Sequence, residues 1–243
     1  MGLRRRAVRH VEETVTAEPE NRRTGESGNI GPSRPSRPLR PVEDLYRASF
    51  FRFRSKPRHS PAWRAPIVCG AIRDVLQPTS VVDAGCGNAD LVAEFHRMGL
   101  EALGIEGSRY CLPYVPPEAT ERVYIHDLRL PLPRSAFRVP RSLALSFEVA
   151  EHIEPEYATQ FVTNLCALSD RVLLSAAPPG QRGHGHVNCR LCSYWVALFF
   201  DKGFHREPTI EQELKARWNP WRRKPGIKAY YDNLLYFTRR APS

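Results

Sequence analysis

Two acids and a histidine, Glu148, Glu151 and His152, stand at i, i+3 and i+4, the spacing that gathers side chains on one face of a helical turn. Two carboxylates and an imidazole so placed suit either a divalent cation or a general base acting on a protic group. Downstream, in the run Gly183-His184-Gly185-His186-Val187-Asn188, either His184 or His186 can complete the set. His184-x-His186-x-x-Cys189-x-x-Cys192 also has ligand types and spacing that suit zinc, although a glycine-rich loop feeding an apolar helix accounts for the same residues without a metal.

A separate signal is Val81-Val82-Asp83-Ala84-Gly85-Cys86-Gly87, an apolar run that ends in an acid and breaks into Gly-Cys-Gly. Glycines there tolerate positive φ and let a ligand lie close to the backbone, as at the strand-to-helix corner of a nucleotide-binding sheet. The third glycine of the dinucleotide fingerprint is missing, and Ala89 and Asp90 stand in its region.

These residues need strands to carry them. Apolar runs at 102–105, 122–125, 143–147 and 171–176 read as further strands, with helices at 63–76, 89–98, 155–168 and 193–202 between or before them. Closing strands are expected at 204–210 and 233–239. The alternation predicts an α/β fold with a seven-stranded, mostly parallel sheet and helices on both faces. Asp83, Glu106, Asp127 and Glu148 then all fall at strand carboxyl ends, the edge where open α/β sheets bind ligands.

Residues 1–41 are rich in Arg, Glu, Pro and Gly and have almost no large apolar side chains, so a disordered tail is expected before a domain at 42–243. Within that domain, 42–79 reads as a helical lead-in whose aromatic and basic residues either pack on the sheet or form a lid. Residues 211–230 read as a basic insertion, with six basic side chains, Trp218 and Trp221, and no acid over 215–228. That mixture suits a phosphate-bearing or glycan acceptor, RNA or an anionic membrane surface, or else a solvated loop. The formal charge of +10 permits an anionic partner without requiring one. The longest apolar run, 194–200, is far short of the ~20 residues that span a bilayer. Six cysteines without a secreted-domain framework lead to the expectation of a cytoplasmic protein with reduced thiols.

Over 81–204 the chain resembles the class I S-adenosylmethionine-dependent methyltransferases, a Rossmann-like fold. Asp83-Ala84-Gly85-Cys86-Gly87 is similar to the family's first motif, Glu106 to its ribose-binding acid and Asp127-Leu128 to its adenine-flanking pair. Asn88-Ala89-Asp90 departs from members with a further glycine. Phe147-Glu148-Val149-Ala150-Glu151-His152 is similar to the segment after strand four in ubiquinone-pathway-like O-methyltransferases. The resemblance implies S-adenosylmethionine held by Asp83, Gly85, Cys86, Gly87, Glu106, Asp127, Leu128 and Phe147. It implies His152 or His186 as base, or Mg2+ on Glu148, Glu151, His152 and His186, the set with which small-RNA 2′-O-methyltransferases orient acceptor hydroxyls. The activity implied is O-methylation of a small molecule or glycan. The alternatives are RNA 2′-O-methylation and a catalytically silent cofactor-binding scaffold.

Overall fold

The computed structural model describes residues 39–56, 62–133 and 141–239, so all but the last three residues of the expected tail lie outside the description. The first strand is β1 (Ser80–Ala84), followed by β2 (Glu101–Glu106), β3 (Val123–Ile125), β4 (Leu143–Phe147), β5 (Arg171–Ser175), β6 (Phe204–Arg206) and β7 (Leu234–Arg239). They form a sheet in the order β3-β2-β1-β4-β5-β7-β6. The first five strands run parallel, while β7 pairs antiparallel with both β5 and β6. A mostly parallel seven-stranded sheet with helices is the architecture expected from the sequence.

Helices α1 (Val42–Leu45), α2 (Ala48–Ser55), α3 (Ala65–Leu76), α4 (Asp90–Arg97), α5 (Ala158–Leu168), α6 (Cys192–Phe200), α7 (Pro208–Trp218) and α8 (Ile227–Asn233) accompany it. One core layer joins the sheet to Val68 and Ile72 of α3, Phe95 of α4, and Leu214 and Trp218 of α7. The other joins it to Phe161 and Leu165 of α5 and to Trp195 and Phe199 of α6. With both faces covered, β4 is buried along its whole length, and its sequence is apolar except for Ser146, whose hydroxyl donates to the Ala84 carbonyl. Among the described residues no helix is long and apolar enough to cross a membrane.

The sheet order reverses between β1 and β4, each of which leads away to one side. This is the switch point at which open α/β sheets place their ligand cleft. In register, Asp83 sits between Gly104 of β2 and Leu145 of β4, so three strands deliver their carboxyl ends together.

Two expectations need correction. The strand foreseen at 204–210 ends at Arg206, because Pro208 starts α7: its φ suits a first helical turn and its missing N–H costs nothing there. The insertion is accordingly not a loop but α7, a 3-10 turn over Asn219–Trp221, and α8. Leu214 and Trp218, four residues apart, bury one face of α7, and the basic residues occupy the other. The lead-in, expected to be helical, contains α1, α2 and α3.

The loop after β3 carries Asp127 and Leu128 and is held by one buried side chain. Asn164 of α5 donates to the carbonyls of Leu128 (2.9 Å) and Leu130 (2.8 Å) and accepts from the Leu132 amide (3.3 Å). Asn164→Ala removes three bonds to this loop, the one to Leu128 buried and the other two part-buried, and a backbone group left unpaired in the interior costs about 1–3 kcal/mol. A loss of at least 2 kcal/mol is expected in urea unfolding, whereas Asn164→Gln, which keeps the amide, is expected to lose less.

Candidate functional site

At the end of β1 the backbone turns under tight constraint. The amides of Gly85 and Cys86 both donate to the Ile105 carbonyl, at 2.8 and 3.0 Å, hooking the turn onto β2. Gly85 has φ +87°, and a Cβ there would lie 2.4 Å from Val149 Cγ2. Glycine is therefore demanded twice, by conformation and by the close pass of the loop after β4. Gly87 differs. Its φ is +57°, but a Cβ would meet nothing within 4 Å, because that side opens into a cavity. Cys86 turns towards β2, where a Cβ on Gly104 would stand 2.6 Å from its Sγ.

Glu106 closes β2 with its carboxylate folded back onto the turn. Oε2 accepts from the Gly87 amide (2.9 Å) and Oε1 from the Ser108 amide (3.1 Å). Burial pushes its pKa up, and these backbone donors pull against that. Asp83 is pushed up to about 7, by burial first and then by the charge of Glu106.

The cavity measures about 430 Å³ and takes its walls from every strand end of the switch point. Its remaining wall is the lead-in: Tyr46, Phe50, Phe51 and Arg54 all line it. Ser108 Oγ donates to the Tyr46 carbonyl (2.7 Å), and Asn88 Nδ2 to the Phe51 carbonyl (3.3 Å). Asn88, noted in the sequence only as a departure from glycine, thus ties the turn to α2. Of the lead-in's two readings, the geometry matches a segment packed over the cleft.

On the far side Phe147 lines the cavity and stacks on Tyr230 of α8, ring centroids 4.5 Å apart. Asp127 also lines it, but its carboxylate is occupied. Arg129 donates to it from Nε (3.0 and 3.1 Å), Nη2 (2.7 Å) and its own amide (2.9 Å). Arg129 is buried and reaches Glu154 as well (3.0 Å). Arg129 thus fixes the orientation of Asp127, expected from the sequence to flank an adenine, on the cavity wall. Leu128 is buried beside it, on the cavity wall.

The acid and histidine residues meet only in part. Glu148 has φ +55°, which takes it out of the helical turn assumed for the i, i+3, i+4 set. The following 3-10 turn, Ala150–His152, starts beyond it. Its carboxylate accepts from Gln181 Nε2 (2.8 Å) and Asn233 Nδ2 (3.1 Å), and Asn233 also donates to Gln181 Oε1 (3.0 Å). The group that converges is Glu151, His152 and His186, whose donor atoms lie within 4.8 Å of one another. Glu148 is left out of that group and serves instead to join the loop after β5 to α8.

His186 arrives because the Glu151 carbonyl accepts from the amides of both Val187 and Asn188, each at 2.9 Å. The loop also needs Gly183, where a Cβ would fall 2.0 Å from His186 Nε2. His152 Nδ1 lies 3.2 Å from the Gly185 carbonyl and His186 Nδ1 lies 3.0 Å from that of Gln181. Only an Nδ1–H makes such contacts, so both rings keep their lone pairs on Nε2. His186 Nε2 stands 3.8 Å from Glu151 Oε1. Both oxygens of Glu151 are buried without a hydrogen-bond partner among the described residues. Burial, and then the neighbouring Glu148, hold that carboxyl well above the ordinary range. Burial lowers His152 to about 4, so its imidazole is neutral at physiological pH.

His184 goes elsewhere, its ring stacked near Phe50 (6.2 Å) and edge-on to Tyr46 (6.3 Å). The cysteine-containing zinc set does not assemble among the described residues. Cys189 Sγ contacts His186 Nδ1 at 3.4 Å, and Cys192 is exposed at the start of α6. The site residues that the sequence reading missed are Asn88, Arg54, Arg64, Arg129, Gln181, Asn233 and Tyr230. None belongs to a short motif; only the aromatic-basic interleaving of the lead-in hinted at Arg54.

No family model and no curated protein matches the chain. Solved structures do. Magnesium protoporphyrin IX methyltransferase (ChlM) from Synechocystis PCC 6803 with bound SAH is 18% identical with a TM-score of 0.58, covering 82% of this chain and 98% of its own. The CcbJ methyltransferase from Streptomyces caelestis is 11% identical with a TM-score of 0.53, covering 73% of this chain and 90% of its own. Mitomycin 7-O-methyltransferase MmcR is 16% identical with a TM-score of 0.51, covering 75% of this chain and 55% of its own. At these identities the likeness is one of fold: the chain has the Rossmann-like fold of S-adenosylmethionine-dependent methyltransferases.

Proposed function

We propose that the protein is an S-adenosylmethionine-dependent methyltransferase acting on a hydroxyl oxygen of a small molecule or glycan. The observation that carries this is one cavity holding both the Gly85–Gly87 turn with Glu106 and the Glu151–His152–His186 group. The first suits a nucleoside cofactor: Glu106 for the ribose hydroxyls, Leu128 and Phe147 for apolar contact, Asp83 for the cofactor's ammonium. The second suits a protic acceptor.

Methyl transfer from a sulfonium is an in-line displacement. The acceptor oxygen bonds the methyl carbon, the sulfur–carbon pair returns to sulfur, and the acceptor proton must go to a base. His152 Nε2, neutral and unprotonated, is the base we assign. Closing the cavity with the aromatic lead-in keeps water from competing.

A divalent metal also fits these residues. Glu151 is a buried carboxylate whose oxygens have no hydrogen-bond partner among the described residues, and each imidazole has its far nitrogen fixed by a carbonyl, as metal-ligating histidines do. Glu151, His152 and His186 would hold it; Mg2+ or Mn2+ there would acidify and orient the acceptor hydroxyl. A second acceptor class, RNA 2′-hydroxyls, is favoured by one observation. Gly226 and Ala229 line the cavity, and the exposed Arg222, Arg223 and Lys224 immediately precede them in the chain. A cytoplasmic setting accords with six free cysteines among the described residues.

The decisive assay is methyl transfer from labelled S-adenosylmethionine to pooled metabolites, glycans and RNA, with and without chelator. Transfer to the first two pools supports the proposal, and transfer to RNA alone moves the acceptor to the second class. Binding without transfer to any pool would leave a silent scaffold. Loss on chelation, restored by Mg2+ or Mn2+, supports the metal; indifference removes it.

His152→Ala and Glu151→Gln are each expected to lower turnover by about 100-fold or more. Affinity for S-adenosylhomocysteine should stay within a few fold, as read by calorimetry. Asp83 supplies a pH test. Its free-state pKa of about 7 falls when it faces a cation, so binding releases a proton. Affinity for S-adenosylhomocysteine should therefore rise with pH from 5.5 to about 7.5, and Asp83→Asn should flatten the rise.

A further inference from the structure

Helix α6 is apolar all round, and a helix of that kind is ordinarily buried on every side. Its nine residues, Cys192-Ser193-Tyr194-Trp195-Val196-Ala197-Leu198-Phe199-Phe200, include no charged side chain. Trp195 and Phe199 turn inward and are fully buried in the layer against the sheet. Another side of the helix is uncovered. Ser193, Ala197 and Phe200, spaced i, i+4 and i+7, are all exposed, Phe200 to 61%. One large apolar side chain thus ends a stripe whose other two members are small.

An open strand edge adjoins that stripe. β6 is the last strand in the sheet order, so its outer edge has no strand beside it among the described residues. The Glu207 amide donates to the Tyr236 carbonyl (2.9 Å), continuing the register of β6 on β7. By the alternation of an antiparallel ladder, the backbone polar groups of Phe204 and Arg206 then point to the open side. Proline or lysine often blunts such an edge. β6 has neither, and its one arginine, Arg206, is turned to Glu211 at 2.7 Å. Phe200 packs edge-on against His205 of β6, ring centroids 5.5 Å apart, so stripe and edge form one continuous surface. With three residues the edge supplies few hydrogen bonds, and the apolar stripe has to carry the affinity.

The surface is complementary to itself. A chain of formal charge +10 repels its own copy except where it meets that copy through an uncharged face, and α6 is such a face. Two α6 helices packed antiparallel about a twofold axis near Val196 and Ala197 set Phe200 of each over Ser193 of the other, large against small, as an isologous contact requires. β6 paired antiparallel with its mate about His205 sets Arg206 opposite Phe204 rather than opposite itself. The N-terminal segment, rich in arginine and glutamate, matches an apolar stripe poorly. We propose that the α6 stripe and the β6 edge form a homodimer interface about a twofold axis normal to the sheet, which continues the seven strands from one copy into the next. This does not depend on the methyltransferase reading above.

Sedimentation velocity on the full chain over about a hundredfold range of concentration tests it. A monomer–dimer equilibrium is expected. Phe200→Glu, which places a charge on each side of the contact, should weaken association roughly 100-fold or more. Phe53→Glu, at an exposed phenylalanine on α2, should leave association unchanged. Thermal melts of both variants followed by circular dichroism check that they are folded. Ala197→Cys in a Cys192→Ser background should give a disulfide-linked dimer on mild oxidation, and Cys192→Ser alone should not. A chain that stays monomeric throughout, a Phe200→Glu variant that associates as tightly as the unaltered chain, or an equal loss in Phe53→Glu would each overturn the interface. A dimer that Ala197→Cys fails to cross-link would overturn the assignment to this face.

Discussion

Five parallel strands end at one edge of the sheet, and the polar backbone groups released there must be satisfied by whatever fills the cleft between β1 and β4. Everything functional in this molecule follows from how that requirement is met. The Ile105 carbonyl takes the amides of Gly85 and Cys86, Glu106 takes those of Gly87 and Ser108, and the Glu151 carbonyl takes those of Val187 and Asn188. Each clasp joins segments distant in sequence, and each leaves a side chain or an open backbone face turned to the same cavity. The site is thus a by-product of satisfying the sheet's edge, held by two backbone clasps and by the Glu106 carboxylate.

The electrostatics of the cavity are those of a site with charges but too few partners. Asp83 and Glu151 are buried acids held above their ordinary range, Arg54 is a buried base held below its own, and His152 is neutral. Burying such groups costs free energy that the apolar layers on either side of the sheet must offset. Groups kept in strained ionisation states at one place mark function more often than architecture, although structural networks perturb pKa values too. Arg129 belongs to the latter kind: its bonds to Asp127 and Glu154 fix the loop after β3.

The middle of the sheet was legible because β1, β4 and β5 are buried along almost their whole length and appear as short, mostly apolar runs. The corner at Gly85 and Gly87 was legible for the same local reason. What local pattern could not carry was geometry set by distant contacts. The i, i+3, i+4 spacing put Glu148 beside Glu151 on a helix, yet positive φ at Glu148 sends it to Gln181 and Asn233. Choosing His186 over His184 depended on the clasp at Glu151, which no periodicity announces. The strand foreseen past Arg206 failed at Pro208, a local helix-start signal that was present in the sequence. Arg54 and Arg64 line the cavity only because α2 and the start of α3 fold over walls built by other segments.

The central claim is that this cavity takes S-adenosylmethionine with Glu106 on its ribose. It is tested most directly by titrating the full chain with S-adenosylhomocysteine and repeating the titration with Glu106→Ala. The account predicts saturable binding of one ligand per chain, weakened about tenfold or more in the variant, as the loss of a charged acceptor facing two hydroxyls requires. No binding at millimolar ligand, or equal binding by the variant, would contradict it.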